Sequence, residues 1–274
     1  MLRSLNTAVS GLQQFQQDID VIGNNIANVN TIAFKGASTQ FEDTFSQALG
    51  ANGTSLQVGT GVTTGAVQNN FNQGAISQTG VGTDLAISGD GFFVVKNPVD
   101  GSQYVTRDGA FRKDSSNYLV TSNGYRVQGY SDAGLTTIGD LQIDTTGEPA
   151  SADPTATVDS YNIDANGFIN VTLSDGTSFV RGQVLLQSFS DPAALAKEGN
   201  NLYSVGTAAG PLAQPAAPQS SGLGMIRSGA LEMSNVDLTS EFSNLITAQR
   251  AFQANARMIT TSDEVLQEVV NLKR

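Results

Sequence analysis

The chain has no cysteine, no histidine and no tryptophan among its 274 residues. Without cysteine there is no thiol catalysis and no disulfide. Without histidine there is no imidazole acid–base chemistry, and the two absences together remove nearly every zinc or copper site. No cofactor is expected, and the fold must rest on packing. With no tryptophan and aromatic residues at 7% overall, platforms for stacking sugar rings are scarce. Charge is scarce too: 14% of residues are Asp, Glu, Lys or Arg, where about a quarter is usual. The polar surface is therefore mostly Asn, Gln, Ser, Thr and Gly, which lose less on desolvation than charged groups and tolerate burial against neighbouring copies. Basic residues are the rarer sign, 14 against 25 acidic, for a net charge of −11. No basic stripe is available to neutralise phosphates, so nucleic acid is not expected as a partner. No apolar run approaches the roughly 20 residues of a membrane helix, so no membrane insertion is expected. The first thirty residues interrupt their apolar positions with Asn, Gln and Asp and do not read as a secretory signal. Export, if it occurs, is expected by a route that ignores such a signal.

What the chain does have is an apolar stripe at each end. Leu2, Leu5, Val9, Leu12, Phe15, Ile19, Ile22, Ile26 and Val29 follow one another in steps of three and four. Leu238, Leu245, Phe252, Ile259 and Leu266 recur every seven residues. Apolar residues so spaced form a narrow seam on a helix and want a partner seam. Residues 2–29 predict one amphipathic helix of roughly 40 Å, weakened at Gly11 and Gly23 by about 1 kcal/mol each relative to alanine. The asparagines at 24, 25 and 28 fall at its end, where they can satisfy open carbonyls or start a turn. A second helix is expected from a cap at Ser234 or Asn235 to the C-terminus, where Lys273 and Arg274 suit the dipole.

Between the stripes the signals change. Residues 31–70 read as a connector, in which Phe34, Phe41 and Phe45 anchor a short helix or an irregular wrap and the glycines from Gly50 to Gly61 mark flexible loop. Residues 71–234 read as a β-rich body. Asp-Gly pairs at Asp90, Asp100, Asp108 and Asp175, and Asn-Gly pairs at Asn123 and Asn166, separate short apolar runs: Leu85–Ile87, Phe92–Val95, Tyr125–Val127, Phe168–Leu173 and Val184–Phe189. Such pairs are hairpin signals, and many short strands predict antiparallel structure. A Pro-, Ala- and Ser-rich stretch near 211–224 reads as an exit linker. The expected class is α+β: long N- and C-terminal helices (1–30 and 235–274) pairing as a coiled coil, with a central antiparallel β-rich domain.

No constellation points to catalysis. Asp164-Ala165-Asn166-Gly167 opens like a calcium loop but lacks the glutamate at the twelfth position, so a hairpin turn explains it better. Ser88-Gly89-Asp90-Gly91-Phe92 suggests a phosphate turn, yet a strand and not a helix is expected after it. Asp140, Asp144, Asp153, Asp159 and Asp164 are acids in Gly- and Thr-rich loops, where they usually form solvated turns and not a glycosidase pair.

The block Asp20-Val21-Ile22-Gly23-Asn24-Asn25-Ile26-Ala27-Asn28, followed by Thr31 and Phe34-Lys35, resembles the N-terminal signature of the flagellar axial family, the rod and hook proteins of the bacterial flagellum. That family often has glycine where this chain has Ala33. Asp84-Leu85-Ala86-Ile87, Gly91-Phe92-Phe93, Tyr104, Thr106-Arg107, Gly109 and Phe111 resemble its β-body entry. Leu231-Glu232-Met233-Ser234-Asn235-Val236-Asp237, Gln249-Arg250, Phe252, Asn255 and Thr260-Thr261 resemble its C-terminal segment. The resemblance implies a non-enzymatic subunit of a torque-transmitting helical tube, assembled with copies of itself and with neighbouring rod and hook–filament junction proteins. It further implies passage through the flagellar export apparatus and, in a hook, guidance by a hook cap. The family motif residues are Asn24, Asn25, Asn28, Phe34, Lys35 and Asn235; the assembly interface expected from the seams is Leu5, Leu12, Ile19, Ile22, Ile26, Leu238, Leu245, Phe252, Ile259 and Leu266. The segment Ser131–Tyr161 is too short for an extra outer domain. The short stretch from Phe41 to Gly61 and the closing residues 266–274 lean towards a hook subunit, with a distal rod subunit as the alternative.

Overall fold

A computed structural model describes residues 2–48, 57–149, 152–153, 155–210 and 214–272. Two compact units emerge: Met1–Val29 with Lys35–Asn70 and Val236–Arg274, and Asn30–Phe34 with Phe71–Asn235. The first contains α1 (Leu2–Ala27) and α2 (Leu238–Leu272). No helix among the described residues is long and apolar enough to cross a membrane.

In the first unit the two terminal helices pack on one another. The expected cap at Ser234 or Asn235 is corrected: Asp237 caps α2, accepting from Thr239 N at 2.9 Å and from the Ser240 hydroxyl. Its donors hold the Asp237 carboxyl below the usual range. An aspartate is the better residue here because its charge also suits the positive end of the helix. Lys273 and Arg274 lie outside the described residues.

The connector expected over 31–70 is also corrected. Strands Ala37–Asp43 and Val62–Asn69 pair antiparallel, with an irregularity at Gln40/Phe41, and Ser46–Ala48 pairs with Gln57–Gly59. Thr39, Phe41, Val62, Thr63 and Val67 are residues that favour strands, so side-chain chemistry outweighed the loop signal of the glycines. Gly50, Asn52 and Gly53 lie outside the described residues. Strands Ala37–Asp43 and Val62–Asn69 contact α1.

The second unit is antiparallel throughout its main sheet, whose order is Val158–Ile163, Phe168–Leu173, Ser178–Val184, Arg126–Tyr130, Phe92–Lys96, Gln103–Thr106, Leu202–Ser204 and Ala196–Gly199. The run Phe92-Phe93-Val94-Val95 is buried on both faces: Phe93 and Val95 join a core with Leu119, Val127, Leu141 and Ile169, while Phe92 and Val94 join one with Val105, Phe189 and Tyr203. Period-two side chains make this possible only where both faces are covered. Four of the six turn pairs sit between paired strands, with Gly101, Gly124, Gly167 and Gly176 at positive φ. Asp90-Gly91 and Asp108-Gly109 do not close hairpins. At Gly109 a Cβ would lie 1.6 Å from the Leu85 carbonyl oxygen, so glycine there serves a close backbone approach instead of a turn. The expected exit linker is likewise no free strap: Pro218 and Leu223 are buried and Ala216 bridges to Leu186. Residues 211–213 lie outside the described set.

The acids of this unit set its response to pH. Burial alone would raise Asp140 and Asp144, but hydrogen bonds from Arg126 and Gln128 to the first, and from Arg181 and Thr146 to the second, outweigh it and hold both below the usual range. The Thr136 hydroxyl and the Thr137 N–H bring Asp132 to about 2. A carboxylate depressed in the folded state stabilises fully above its unfolded pKa and loses that contribution as pH falls through the folded value. Asp108 acts oppositely, since burial raises it. The expected melting temperature of this unit is therefore flat between about pH 7 and pH 5 and falls below about pH 4. Calorimetry across that range tests this, and a melting temperature unchanged down to about pH 2.5 would show that these ion pairs carry no net weight.

Candidate assembly surfaces

On α1, Leu5, Leu12, Ile19 and Ile26 are half-buried and Ile22 is buried. On α2, Leu245, Phe252, Ile259 and Leu266 are half-buried, while Leu238 is exposed. Both rows thus belong largely to the sides of the helices that are covered within the first unit. Sequence reasoning missed the second row of the α2 seam: Glu241, Ala248, Asn255 and Ser262, each four residues before the next apolar residue of the first row. All four are at least half-buried. The signal was present as the same seven-residue spacing, but small and polar residues do not register in a count of apolar positions. These residues let the helices approach: Gly11 lies against Asn255, and a Cβ at Gly11 would sit 2.9 Å from its side-chain nitrogen. The glycine that weakens α1 in isolation thereby favours its packing.

The adjacent face of α1 is polar and meets the strand pair. Asn25 is buried, donates to Ala37 O at 2.8 Å and accepts from Ala37 N at 3.0 Å. Its amide thus acts as a strand partner for one peptide group. Thr39 donates to Asp18, Thr64 donates to Gln14, and Phe15 meets Phe41 edge to face at 5.8 Å. Asn28 closes the helix by donating from its side chain to Asn24 O. Asn25→Asp keeps the shape but loses the donor to Ala37 O. It is expected to destabilise this unit by about 1–3 kcal/mol, read as faster hydrogen exchange at Ala37 and Thr39; unchanged exchange would mean the amide is dispensable.

Lys35 is fully buried. In the second unit Phe34 is buried, with the Lys197 ammonium 4.5 Å over its ring; burial pushes that ammonium down. Ala33 stands at φ +54°, a left-handed conformation that glycine adopts without strain. This gives a physical reason for the glycine common there in the resembling family. Ala33 N donates to Glu232 O at 2.8 Å, Asn235 N to Phe34 O at 3.4 Å, and the Asn235 amide to Asn72 O at 3.0 Å. The segment 30–34 is therefore pinned to the residues that lead out of the β-body.

Beneath it lies a buried ion pair. Arg107 Nη1 and Glu232 Oε2 are 3.3 Å apart, and Glu232 Oε1 accepts from Gly74 N at 2.9 Å. Four of the five candidate acids resolve as structural groups: Asp140 and Asp144 pair with arginines, Asp153 accepts from Thr155, and Asp164 accepts from Asn166 N and Phe168 N in a hairpin turn, while Asp159 is exposed on a strand. Among the described residues no group of three or more acids is placed to hold a metal ion.

Comparison with known proteins agrees with these features. Residues 5–35 match the family described as Flagella basal body rod protein, residues 86–171 the Flagellar hook protein FlgE/F/G D1 domain, and residues 227–272 the Flagellar basal body rod FlgEFG protein C-terminal. The chain is 41% identical to the flagellar basal-body rod protein FlgG of Bacillus subtilis and 36% identical to that of Borreliella burgdorferi, in both cases across the whole of each chain. It is 28% identical to the Borreliella burgdorferi flagellar hook protein FlgE, again with both chains covered, but over 444 aligned positions. The chain belongs to the flagellar axial family, the structural rod and hook proteins of the flagellar basal body.

Proposed function

We propose that this chain is a subunit of the flagellar basal-body rod, polymerising with copies of itself into a tube that transmits torque. The observation that carries this reading is the full-length match to rod proteins, which needs 283 aligned positions at 41% identity, against 444 at 28% for the hook relative. The lean towards a hook therefore gives way to its alternative. It rested on the closing residues 266–274 and on the short stretch between Phe41 and Gly61; that stretch includes paired strands, so its length does not measure a bending connector. Strands bonded to each other and hydrogen-bonded to α1 suit a stiff shaft better than a hinge. The terminal seams supply cohesion by pairing as a coiled coil, and the weakly charged β-body faces neighbouring subunits. Passage through the export apparatus and contact with neighbouring axial proteins go with the same reading.

Immunogold electron microscopy of isolated hook–basal bodies, with antibody to residues 71–210, tests this. Label on the straight segment below the curved hook is expected. Label along the curved segment would restore the hook, and no label on either, with antibody that binds the purified protein, would overturn the axial role.

A further inference from the structure

The second unit carries a groove of about 660 Å³, within the range of about 300–1,000 Å³ usual for ligand sites. Val94, Val105 and Phe189 form an apolar floor, and Ile138 and Val205 add apolar surface that is 40% and 41% exposed. The groove crosses the sheet from Gln128 on strand Arg126–Tyr130, over Phe92–Lys96, Gln103–Thr106 and Leu202–Ser204, to Glu198 on Ala196–Gly199. At the usual strand spacing that is about 19 Å, the length of about six residues of extended chain.

The two ends differ in chemistry. Gln128 is 4% exposed. Its Nε2 donates to Asp140 Oδ1 at 2.7 Å and to Arg126 O at 3.4 Å, which commits both amide hydrogens and leaves the oxygen as the open atom. Among the described residues nothing donates to that Oε1, and it is not one of the fully enclosed unpartnered atoms. It is an acceptor, held in place, that a molecule in the groove can reach, and acceptors on buried side chains are rarely left open. Lys96 and Arg126 already act on Asp140 beside it, so a further cation at this end would meet like charge, whereas a neutral N–H would not. At the other end Glu198 is exposed and accepts from the Ser204 hydroxyl at 2.7 Å. Among the described residues it is the one charged side chain lining the groove, and its second oxygen suits an ammonium or guanidinium. Between the ends, Gln103 and Gln214 border the apolar floor, and each amide offers both a donor and an acceptor. That mixture complements a peptide backbone bearing apolar side chains. A sugar chain fits worse, because Tyr104 turns its ring to Tyr125 and Phe189 is 7% exposed, which leaves no open ring face to stack on. We propose that this groove binds an extended segment of another protein, with a backbone N–H on Gln128 Oε1 and a lysine or arginine of the segment on Glu198. The net charge of −11 favours a basic partner over a further copy of the chain. The site lies wholly within the second unit, so it is complete in the single subunit.

The test starts from a random library, because the sequence of the segment is open. Full-length chain, immobilised as monomer, is panned with phage-displayed random hexapeptides. The expected result is enrichment of sequences with lysine or arginine near one end, at least fivefold above the unselected library. Synthetic versions of the enriched peptides are then titrated by fluorescence anisotropy against the parent chain and three variants. Val205→Arg narrows the groove and adds a cation, Glu198→Lys reverses the charge at the open end, and each is expected to weaken binding at least tenfold. Gln128→Met removes the acceptor and is expected to weaken it at least fivefold. Positions 198 and 205 are exposed, so those two variants carry the test should Gln128→Met fail to fold. No enrichment over a bare surface, enriched sequences without basic residues, or peptides that bind Val205→Arg and Glu198→Lys as tightly as the parent chain overturn the proposal. So does binding of a neutral oligosaccharide such as chitotetraose in place of the peptides, which would make the occupant a sugar. Loss of polymerisation in Val205→Arg without any peptide binding to the parent chain overturns it as well, by making the occupant a second copy.

Discussion

Glu232→Ala is expected to destabilise the β-body by about 3–5 kcal/mol, a large part of the stability of an ordinary domain. The reason is the position of the carboxylate. It is fully buried, faces Arg107 at 3.3 Å, and accepts from Gly74 N at 2.9 Å. The backbone of the same residue pairs with Ile76 and accepts from Ala33 N. Burial pushes the Arg107 guanidinium down, and Glu232 is the main group that opposes this. Alanine leaves that cation desolvated without its principal counter-charge and leaves the Gly74 N–H without its acceptor. Glu232→Gln separates the two effects, because it retains shape and an acceptor for Gly74 but removes the charge; it is expected to cost less than alanine. Replacing Arg107 and Glu232 together with methionine is expected to recover part of the loss, since neither charge is then stranded. Denaturant unfolding of the purified monomer, followed by tyrosine circular dichroism, measures all three. A loss under about 1 kcal/mol for Glu232→Ala would mean the pair breaks even against its desolvation.

This ion pair also shows what was legible in the sequence. Arg107 and Glu232 both stood within stretches that resemble the family, yet nothing linked them, because they lie 125 residues apart and a single sequence carries no signal for one long-range pair. The helices and most hairpins were readable, since heptad spacing and Asp-Gly or Asn-Gly turns are local properties. The strands at Ala37–Asp43 and Val62–Asn69 were not. Their exposed positions are neither cleanly alternating nor apolar, and they are held by polar bonds from Asn25, Asp18 and Gln14 on a helix some distance away in the chain. Asn25 was noticed as a motif residue, but its role as a strand partner depends on a buried geometry that composition does not encode. The Asp237 cap was missed for a simpler reason: Ser234, Asn235 and Asp237 are all good caps within four positions, and the bonding of Asn235 to Asn72 and Phe34 takes it out of contention.

Leu245→Asp and Ile259→Asp are each expected to abolish polymerisation while leaving the β-body folded. Both side chains are only half-buried in the single chain, so a carboxylate there retains water and costs the monomer little. Assembly changes this. Along α2, Phe242, Ile246, Met258 and Val265 leave apolar surface open beside the seam, and a neighbouring helix laid against it would strip water from position 245 or 259. An unpaired buried carboxylate then opposes each subunit contact by several kcal/mol. A polymer repeats that penalty at every copy, so elongation fails outright instead of weakening. Ile22→Asp is the instructive contrast: Ile22 is already buried within the first unit, and its replacement should disturb the monomer as well. Gln253→Asp, exposed and polar on α2, should be tolerated in both states. Sedimentation of assembled material, with circular dichroism of the soluble fraction, distinguishes these cases. Tubes formed by Leu245→Asp or Ile259→Asp would show that the seam closes only within one chain, and cohesion of the polymer would then have to come from other surfaces, with the exposed flank of α2 the next place to test.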